Sequence, residues 1–122
     1  MQVEQVDFVS VLTQDIARAK QFYGGTLGLP IETEGENDME FTLGQVTLDV
    51  FDPASAGQEF APSPAGIAIR VPDVAAARRE LEAKGVRFDG EIVDTGVCHF
   101  AFFQDPDGNK LMLHRRYAPR ER

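Results

Sequence analysis

Short runs of apolar and β-branched residues, many of them alternating with polar ones, predict a chain built mainly of β-strands. The first run covers residues 6–12, where valine, phenylalanine and leucine dominate, a composition typical of strands. Three more strands are expected at 31–33, 39–43 and 46–51. The step between the last two, Gly44-Gln45, has the length of a tight hairpin turn. The first half of the chain is therefore expected to contain four strands.

Apolar residues at helical spacing interrupt the strands twice. Asp15 is a candidate N-cap for a first helix whose apolar residues continue to Leu27, and the segment 28–30 ends that helix. Asp73 is the equivalent candidate before a second, alanine-rich helix. Gly85 is expected to follow that helix as its C′ glycine. One helix is thus predicted after the first strand of each half.

The second half of the chain repeats the strand pattern and ends on a hairpin. Residues 105–108, Asp-Pro-Asp-Gly, suit a type I turn, and apolar runs flank them. On the return strand, period-two alternation places Lys110, Met112 and His114 on one face. The strands expected in this half cover residues 66–71, 86–88, 91–93, 98–103 and 110–114.

The two halves share one register at an offset of 58 residues, the separation of Asp73 from Asp15. At this offset residues 15–20 lie over residues 73–78, and residues 8–11 lie over 66–69. Two alanine-rich helices can resemble each other by chance. The shared order of strand, cap and helix nevertheless favours a true internal repeat.

This repetition predicts an α+β fold made of two βαβββ units. Each unit is too small to bury both faces of its sheet, so the two are expected to pair into a half-open mixed β-barrel with helices outside. The interior of such a barrel is the natural place for a ligand. The chain is expected to be a single domain, residues 1–122, with repeat one at about 3–52, a linker at 53–64, repeat two at about 65–117 and a tail at 118–122.

Composition and charge narrow the range of partners. The chain has 12 Lys and Arg against 20 Asp and Glu, a net charge of −8, which argues against nucleic acid because its binding depends on cationic side chains. No run approaches the ~18 apolar residues of a membrane span, and no signal segment follows Met1. The single cysteine, Cys98, leaves no internal disulfide and suits a reducing compartment. We therefore expect a cytoplasmic protein without nucleic-acid or membrane partners.

The sign of the charge reverses locally at the C-terminus, where residues 114–122 are mostly basic. The favoured prediction for this stretch is a frayed, solvated tail. The alternative is an arm that binds anions.

Three short motifs, together with the repeated units, carry a resemblance to a known family. They are Phe22-Tyr23 with residues 27–30, the segment 83–86, and the turn 105–109 followed by a Leu-x-Leu strand. The chain resembles the vicinal oxygen chelate superfamily, which includes glyoxalase I, extradiol dioxygenases, fosfomycin resistance enzymes and bleomycin resistance proteins. More narrowly, the segments 94–99 and 114–119 resemble a glyoxalase-like branch common in bacteria. The resemblance covers about residues 3–117 and implies the repeated βαβββ fold.

The resemblance also implies where a metal ion would bind. The enzymes of the superfamily hold one divalent metal through His, Gln or Glu on the first and last strands of each repeat, and these positions correspond here to Phe8, Asp49, Gly66 and Met112. Phenylalanine and glycine offer no ligand atom, and a methionine thioether prefers soft metals. Asp49 alone would make a weak site. We therefore expect neither the usual metal centre nor another cofactor.

The resemblance further implies which residues face the interior. In the fosfomycin-type enzymes the residue three before the turn faces inward, and it corresponds here to Phe102. Alternation then turns Cys98 and Phe100 inward and His99 outward. Alternating Phe, Met and Cys residues are equally typical of an ordinary core. The expected ligand cavity comprises Phe8, Asp49, Phe51, Gly66, Arg70, Cys98, Phe100, Phe102, Met112 and His114.

Three functions are compatible with this cavity. The leading hypothesis is a metal-free, homodimeric protein that binds a small, partly apolar ligand, and the acidic composition allows that ligand to be cationic. The alternative is a glyoxalase-like lyase or isomerase, or a dioxygenase-like enzyme, that uses His114 as its acid or base with Asp49, or a relocated metal site. The third is a binding or regulatory domain without any small ligand. The homodimer is an expectation from the resemblance.

Overall fold

In the computed structural model, which describes residues 1–120, each half of the chain forms its own four-stranded sheet. The chain divides into two units, the first covering Met1–Ser63 and the second starting at Pro64. Within residues 1–120, no helix is long and apolar enough to cross a membrane.

The first unit has the strand order β1-β4-β3-β2. Strands β1 and β4 pair in parallel, and the remaining pairs are antiparallel. Its elements are β1 (Phe8–Leu12), α1 (Ile16–Lys20), a π-helical turn (Gln21–Thr26), β2 (Ile31–Glu34), β3 (Asp38–Leu43), β4 (Val46–Phe51) and a short 3-10 helix (Pro53–Ala56).

The second unit repeats this arrangement with the order β5-β8-β7-β6. Here β5 and β8 are the parallel pair, and the other pairs are antiparallel. Its elements are β5 (Ile67–Arg70), α2 (Val74–Ala83), β6 (Phe88–Asp94), β7 (Cys98–Gln104) and β8 (Lys110–Arg116). The predicted α+β class and the repeated βαβββ order are confirmed.

Both predicted helix caps are formed. The Asp15 side chain accepts a hydrogen bond from the Arg18 N–H at 3.0 Å, and the Asp73 side chain accepts one from the Ala76 N–H at 2.9 Å. Each carboxylate satisfies a backbone donor that the first helical turn leaves unpaired. Gly85 follows α2 with a φ of 92°, the left-handed conformation expected of a C′ glycine.

Two local predictions need correction. The strands expected at 86–88 and 91–93 are one strand, β6, whose pairing with β7 shifts between Asp89 and Val93. Gly90 lies at this shift with a φ of 72°, a conformation that glycine adopts without strain and that locally breaks the strand pattern. The first helix does not continue regularly to Leu27, because it widens into a π-helical turn in which the Leu27 N–H bonds to the Phe22 carbonyl.

The prediction of a frayed tail from residue 114 is wrong over most of its length. Strand β8 continues to Arg116. The backbone N–H groups of Tyr117 and Ala118 then donate to the Val97 carbonyl at 2.9 and 3.3 Å, and the Tyr117 hydroxyl donates to Asp94 at 2.8 Å. Non-local hydrogen bonds therefore hold the basic segment, and the last two residues of the predicted tail lie outside the described residues.

Each sheet buries one face against its own helical segment. In the first unit Tyr23 is buried, and its ring lies 5.8 Å from that of Phe41 on β3. In the second unit the Arg78 guanidinium of α2 lies 4.9 Å over the Phe88 ring on β6. The buried residues of this face are Ala101, Phe103, Leu111 and Leu113. Alternation leaves the other face of each sheet without a helix.

The hairpin turn between β7 and β8 is closed by a buried pair, Asp105 and Asn109. The Gly108 N–H bonds to the Asp105 carbonyl at 3.0 Å, as a type I turn requires. The Asp105 carboxylate accepts hydrogen bonds from the Asp107 and Asn109 N–H groups at 2.9 and 2.8 Å and from the Asn109 side-chain amide at 2.8 Å. Since Asp105 is 6% and Asn109 0% exposed, this carboxylate satisfies donors that water does not reach.

Replacing the Asp105 carboxylate is expected to destabilise the protein. Asp105→Ala should lower the free energy of unfolding by about 2–4 kcal/mol, because buried donors of Asn109 lose their acceptors. Asp105→Asn should cost less, since it keeps one acceptor oxygen. Urea denaturation measures both, with the exposed Glu91→Ala as the control. Equal stability of Asp105→Ala and Glu91→Ala would disprove the role of the carboxylate.

Candidate functional site

Cross-strand pairing assembles a row of chemically distinctive side chains on the helix-free face of the second unit. Met112 on β8 lies between Ala68 on β5 and Phe102 on β7. His114 lies in the same way between Arg70 and Phe100. Paired residues share a face of a sheet. We call this surface the aromatic face: Ala68, Arg70, Cys98, Phe100, Phe102, Lys110, Met112, His114 and Arg116.

Three rings form a continuous row on the aromatic face. The rings of Phe100 and Phe102 have centroids 5.9 Å apart and planes within 5° of each other. The His114 ring lies 4.7 Å from that of Phe100, tilted by 44°. All three side chains are half-buried, so the row keeps part of its surface accessible.

A cleft of about 450 Å³ opens at the Phe102 end of this row. The volume lies within the range of small-molecule pockets. Of the expected cavity residues, Gly66, Phe102 and Met112 line it. The rest of the lining is Pro64, Ala65, Asp89, Phe103, Lys110 and Leu111, and of these residues alternation predicts only Lys110 on the same face as Met112.

The alternation of apolar and polar residues alone could not predict that Asp89 lines the cleft. Asp89 pairs with Phe102 just before the shift in register at Gly90, and period-two alternation does not predict where such a shift occurs. The one available signal was the isolated Gly90 inside a strand pattern, which indicates a bulge. The cleft therefore contains a carboxylate as well as the Lys110 ammonium.

Cationic groups dominate the aromatic face. Arg70 and Lys110 are exposed, and within residues 1–120 neither side chain forms an ion pair or hydrogen bond. The Arg116 guanidinium lies 3.9 Å from the Cys98 sulfur, and its Nε is buried with no hydrogen-bond partner among residues 1–120. Cys98 itself is buried, as free cysteines commonly are.

Phe8, Asp49 and Phe51 belong to the other unit, on the helix-free face of its sheet. Asp49 pairs with Ser10 on one side and Glu40 on the other, and the Ser10 hydroxyl donates to its carboxylate at 3.1 Å. Burial raises the pKa of Asp49, and the charges of Asp38 and Glu40 add to this effect, while the Ser10 hydrogen bond opposes it. This face is therefore acidic, in contrast to the aromatic face.

His99 lies on the opposite face of the second sheet, away from the aromatic face. Its Nε2 is 3.3 Å from the Asp94 carboxylate, and its ring lies 4.8 Å from that of Tyr117. Hydrogen bonds from the Gly96 N–H and the Tyr117 hydroxyl lower the pKa of Asp94. This group ties the end of β8 to the β6–β7 turn.

The four positions implied for a metal ion are equivalent in the two units. Phe8 comes two residues before Ser10, which pairs with Asp49, and Gly66 comes two residues before Ala68, which pairs with Met112. Their chemistry does not suit a divalent metal, because only the Asp49 carboxylate offers a hard donor. Within residues 1–120, no group of three or more His, Cys, Asp or Glu is arranged to hold a metal ion.

Packing also argues against a metal in the second unit. Gly66 has a φ of 76°, in the left-handed region, and a Cβ built on it would lie 2.9 Å from the Met112 methyl carbon. The Met112 side chain thus occupies the space that a side chain at position 66 would need. The residues present do not fit the metal centre of the enzymes.

Comparison with known proteins agrees with the fold. Residues 5–113 match the model of the Glyoxalase/Bleomycin resistance protein/Dioxygenase superfamily. The chain belongs to this superfamily. A curated relative is the uncharacterized protein YaeR of Escherichia coli strain K12, 28% identical over 93% of this chain and 98% of YaeR.

Two solved structures that are similar to this chain illustrate the range of functions on this fold. TnmS3, an antibiotic binding protein from Streptomyces sp. CB03234, is 27% identical with a TM-score of 0.78, covering 95% of this chain and 98% of TnmS3. Lactoylglutathione lyase from Agrobacterium tumefaciens is 17% identical with a TM-score of 0.80, covering 93% and 94% of the two chains. The second likeness shows the fold alone.

Glycine should be required at position 66. Gly66→Ala is expected to lower the free energy of unfolding by about 1–2 kcal/mol, because alanine is strained at positive φ, with an added cost from the Met112 contact. When Met112 is also replaced by alanine, the cost of the close approach to Met112 should disappear, while the cost of the strained backbone at position 66 should remain. Urea denaturation of the double-mutant cycle tests this, with Gly24→Ala as a control whose Cβ would meet only ordinary contacts. A neutral Gly66→Ala would contradict it.

Removing the Asp49 charge should stabilise the protein at neutral pH. Since the pKa of Asp49 is raised on folding, its ionised form opposes folding above that pKa, and the penalty fades as the pH falls toward the unfolded value. Asp49→Asn keeps an acceptor for Ser10 and should gain under about 1 kcal/mol, because the group is partly exposed. Denaturation at neutral pH and near pH 4 measures the gain, with exposed Glu59→Gln as the control. A gain that grows in acid would refute this.

Proposed function

We propose that this protein binds a small, predominantly apolar molecule on the aromatic face of its second unit, without a metal ion. The observation that carries the proposal is the packing of Met112, whose methyl carbon lies 2.9 Å from where a Cβ on Gly66 would be. This supports a site without metal, because the resemblance implies metal ligands at these two positions and neither residue offers a hard donor. The adjoining cleft is lined mainly by apolar side chains, as small-molecule sites are.

The relatives support binding more than catalysis. TnmS3, at 27% identity, is described as an antibiotic binding protein. The lyase relative is more distant in sequence, and members of one fold commonly differ in chemistry. We therefore favour a ligand-sequestering role.

The second candidate is a metal-independent lyase or isomerase. The raised pKa of Asp49 favours it, since a perturbed carboxyl is a candidate general base. Against it, within residues 1–120 no carboxylate is hydrogen-bonded to His114, whose ring contacts Phe100 instead. Turnover that His114→Ala abolishes would favour this candidate.

We further propose a homodimer in the cytoplasm as the working form. Phe8 and Ile31 are 57% and 45% exposed, and a second copy could cover such apolar side chains. The free thiol of Cys98 suits a reducing compartment.

A neutral fluorescent probe, N-phenyl-1-naphthylamine, should bind to the protein without metal. Binding is expected in the presence of EDTA and unchanged after Zn²⁺ or Ni²⁺ is added. Phe102→Ala should weaken it about tenfold, because a large apolar contact is lost. The chain has no tryptophan, so probe fluorescence is free of that background.

The matched control for Phe102→Ala is Ile31→Ala, which removes an exposed apolar side chain from the first unit. It should leave probe affinity unchanged. Binding that requires metal, or that Phe102→Ala does not affect, would overturn the proposed function.

A further inference from the structure

Resting on the proposed function, we infer that the ligand is a planar aromatic molecule that carries a negatively charged group. The aromatic row supplies the first half of this inference. The Phe100 and Phe102 ring centroids are 5.9 Å apart, too close for a further ring to enter between them, since stacked rings need about 3.5 Å on each side. A ligand ring must therefore lie against the outside of the row, and the cleft opens beside Phe102.

A flat ring is the shape that this site accommodates best. The cleft has Phe102 and Met112 among its walls, and both an aromatic face and a thioether sulfur make favourable contacts with aromatic rings. Gly66 removes a side chain from the same wall, and the Met112 methyl group occupies part of that space. These features favour a ring system over a branched aliphatic ligand.

Cationic side chains without partners among the described residues indicate that the ligand is negatively charged. Lys110 lines the cleft, and its ammonium has no partner within residues 1–120. Arg70 is likewise unpaired, beside His114. Lys110 and His114 are four residues apart on β8, or about 13 Å. Because Arg70 pairs with His114 across the strands, the cationic residues Lys110 and Arg70 flank the ring row at opposite ends. Asp89 is the carboxylate of the cleft. It would repel the charged group of an anionic ligand, which is therefore expected to point away from Asp89.

The charge of this face is opposite in sign to the net charge of the molecule. A chain with a net charge of −8 repels anions at long range. Cations left unpaired around an aromatic row overcome that repulsion only locally, within about a Debye length of 8–10 Å. The chemistry that matches is an aromatic ring bearing a carboxylate, sulfonate or phenolate. The cationic ligand that overall composition allowed fits this face less well.

A pair of probes with the same ring skeleton separates the charge from the shape. 1-Anilinonaphthalene-8-sulfonate is N-phenyl-1-naphthylamine with a sulfonate added, so the difference in their affinities isolates the anion. The anionic probe should bind more tightly, and its affinity should fall as salt is added. Lys110→Gln and Arg70→Gln should each weaken binding of the anionic probe about twofold to fivefold more than they weaken binding of the neutral probe. Asp89→Asn should strengthen binding of the anionic probe.

The matched control is Arg115→Gln, which removes the same charge from β8 on the opposite face of the sheet. It should leave both affinities unchanged. Binding is measured without urea, and only variants whose urea denaturation midpoint equals that of the wild type are compared. Probe binding to partly unfolded protein is thereby excluded.

The possible outcomes separate the two claims. If the neutral probe does not bind at the Phe102 end, the proposed function fails. If it binds there, but the sulfonate adds no affinity or a trimethylammonium-substituted naphthalene binds more tightly, the inferred charge is wrong and the proposed function stands. An equal effect of Arg115→Gln and Lys110→Gln would also overturn the inference, because it would show general attraction rather than a site.

Discussion

The parallel pairing of the first and last strands in each unit is the constraint on which the rest of the structure depends. Parallel strands cannot be joined by a tight turn and need a crossover, usually a helix. In the second unit α2 lies in that connection and covers the face that carries Leu111 and Leu113. Alternation then turns Met112 and His114 to the other face. The core and the candidate site thus use alternate residues of the same strand.

This separation explains how the superfamily fold persists here without the enzymes' metal ligands. The buried residues of β8 are needed for packing against the helix, whereas Met112 contributes nothing to that face. Its position can change chemistry without loss of the core. The Met112 methyl carbon lies 2.9 Å from where a Cβ on Gly66 would be, so a side chain at position 66 would require Met112 to move. Asp49 keeps its carboxylate in the first unit, where Ser10 holds it.

Local chemistry made much of the fold predictable. The caps at Asp15 and Asp73 and the turn at residues 105–108 were recognised because each depends on residues within a few positions. The candidate site was less predictable. Alternation indicated that Phe102 and Met112 share a face, but it could not foresee the break at Gly90, which sets the pairing of Asp89.

The sequence by itself therefore determined most of the strand and helix order, the internal repeat, the membership of a superfamily and which residues stand at the four positions implied for a metal ion, because short-range periodicity and residue chemistry carry that information. Only the tertiary structure decided three other features. It held Tyr117 against Val97 and Asp94, stacked Phe100 on Phe102, and left Arg70 and Lys110 without a side-chain ion pair or hydrogen bond among the described residues. These features depend on residues brought together across strands, where register rather than local preference sets every distance.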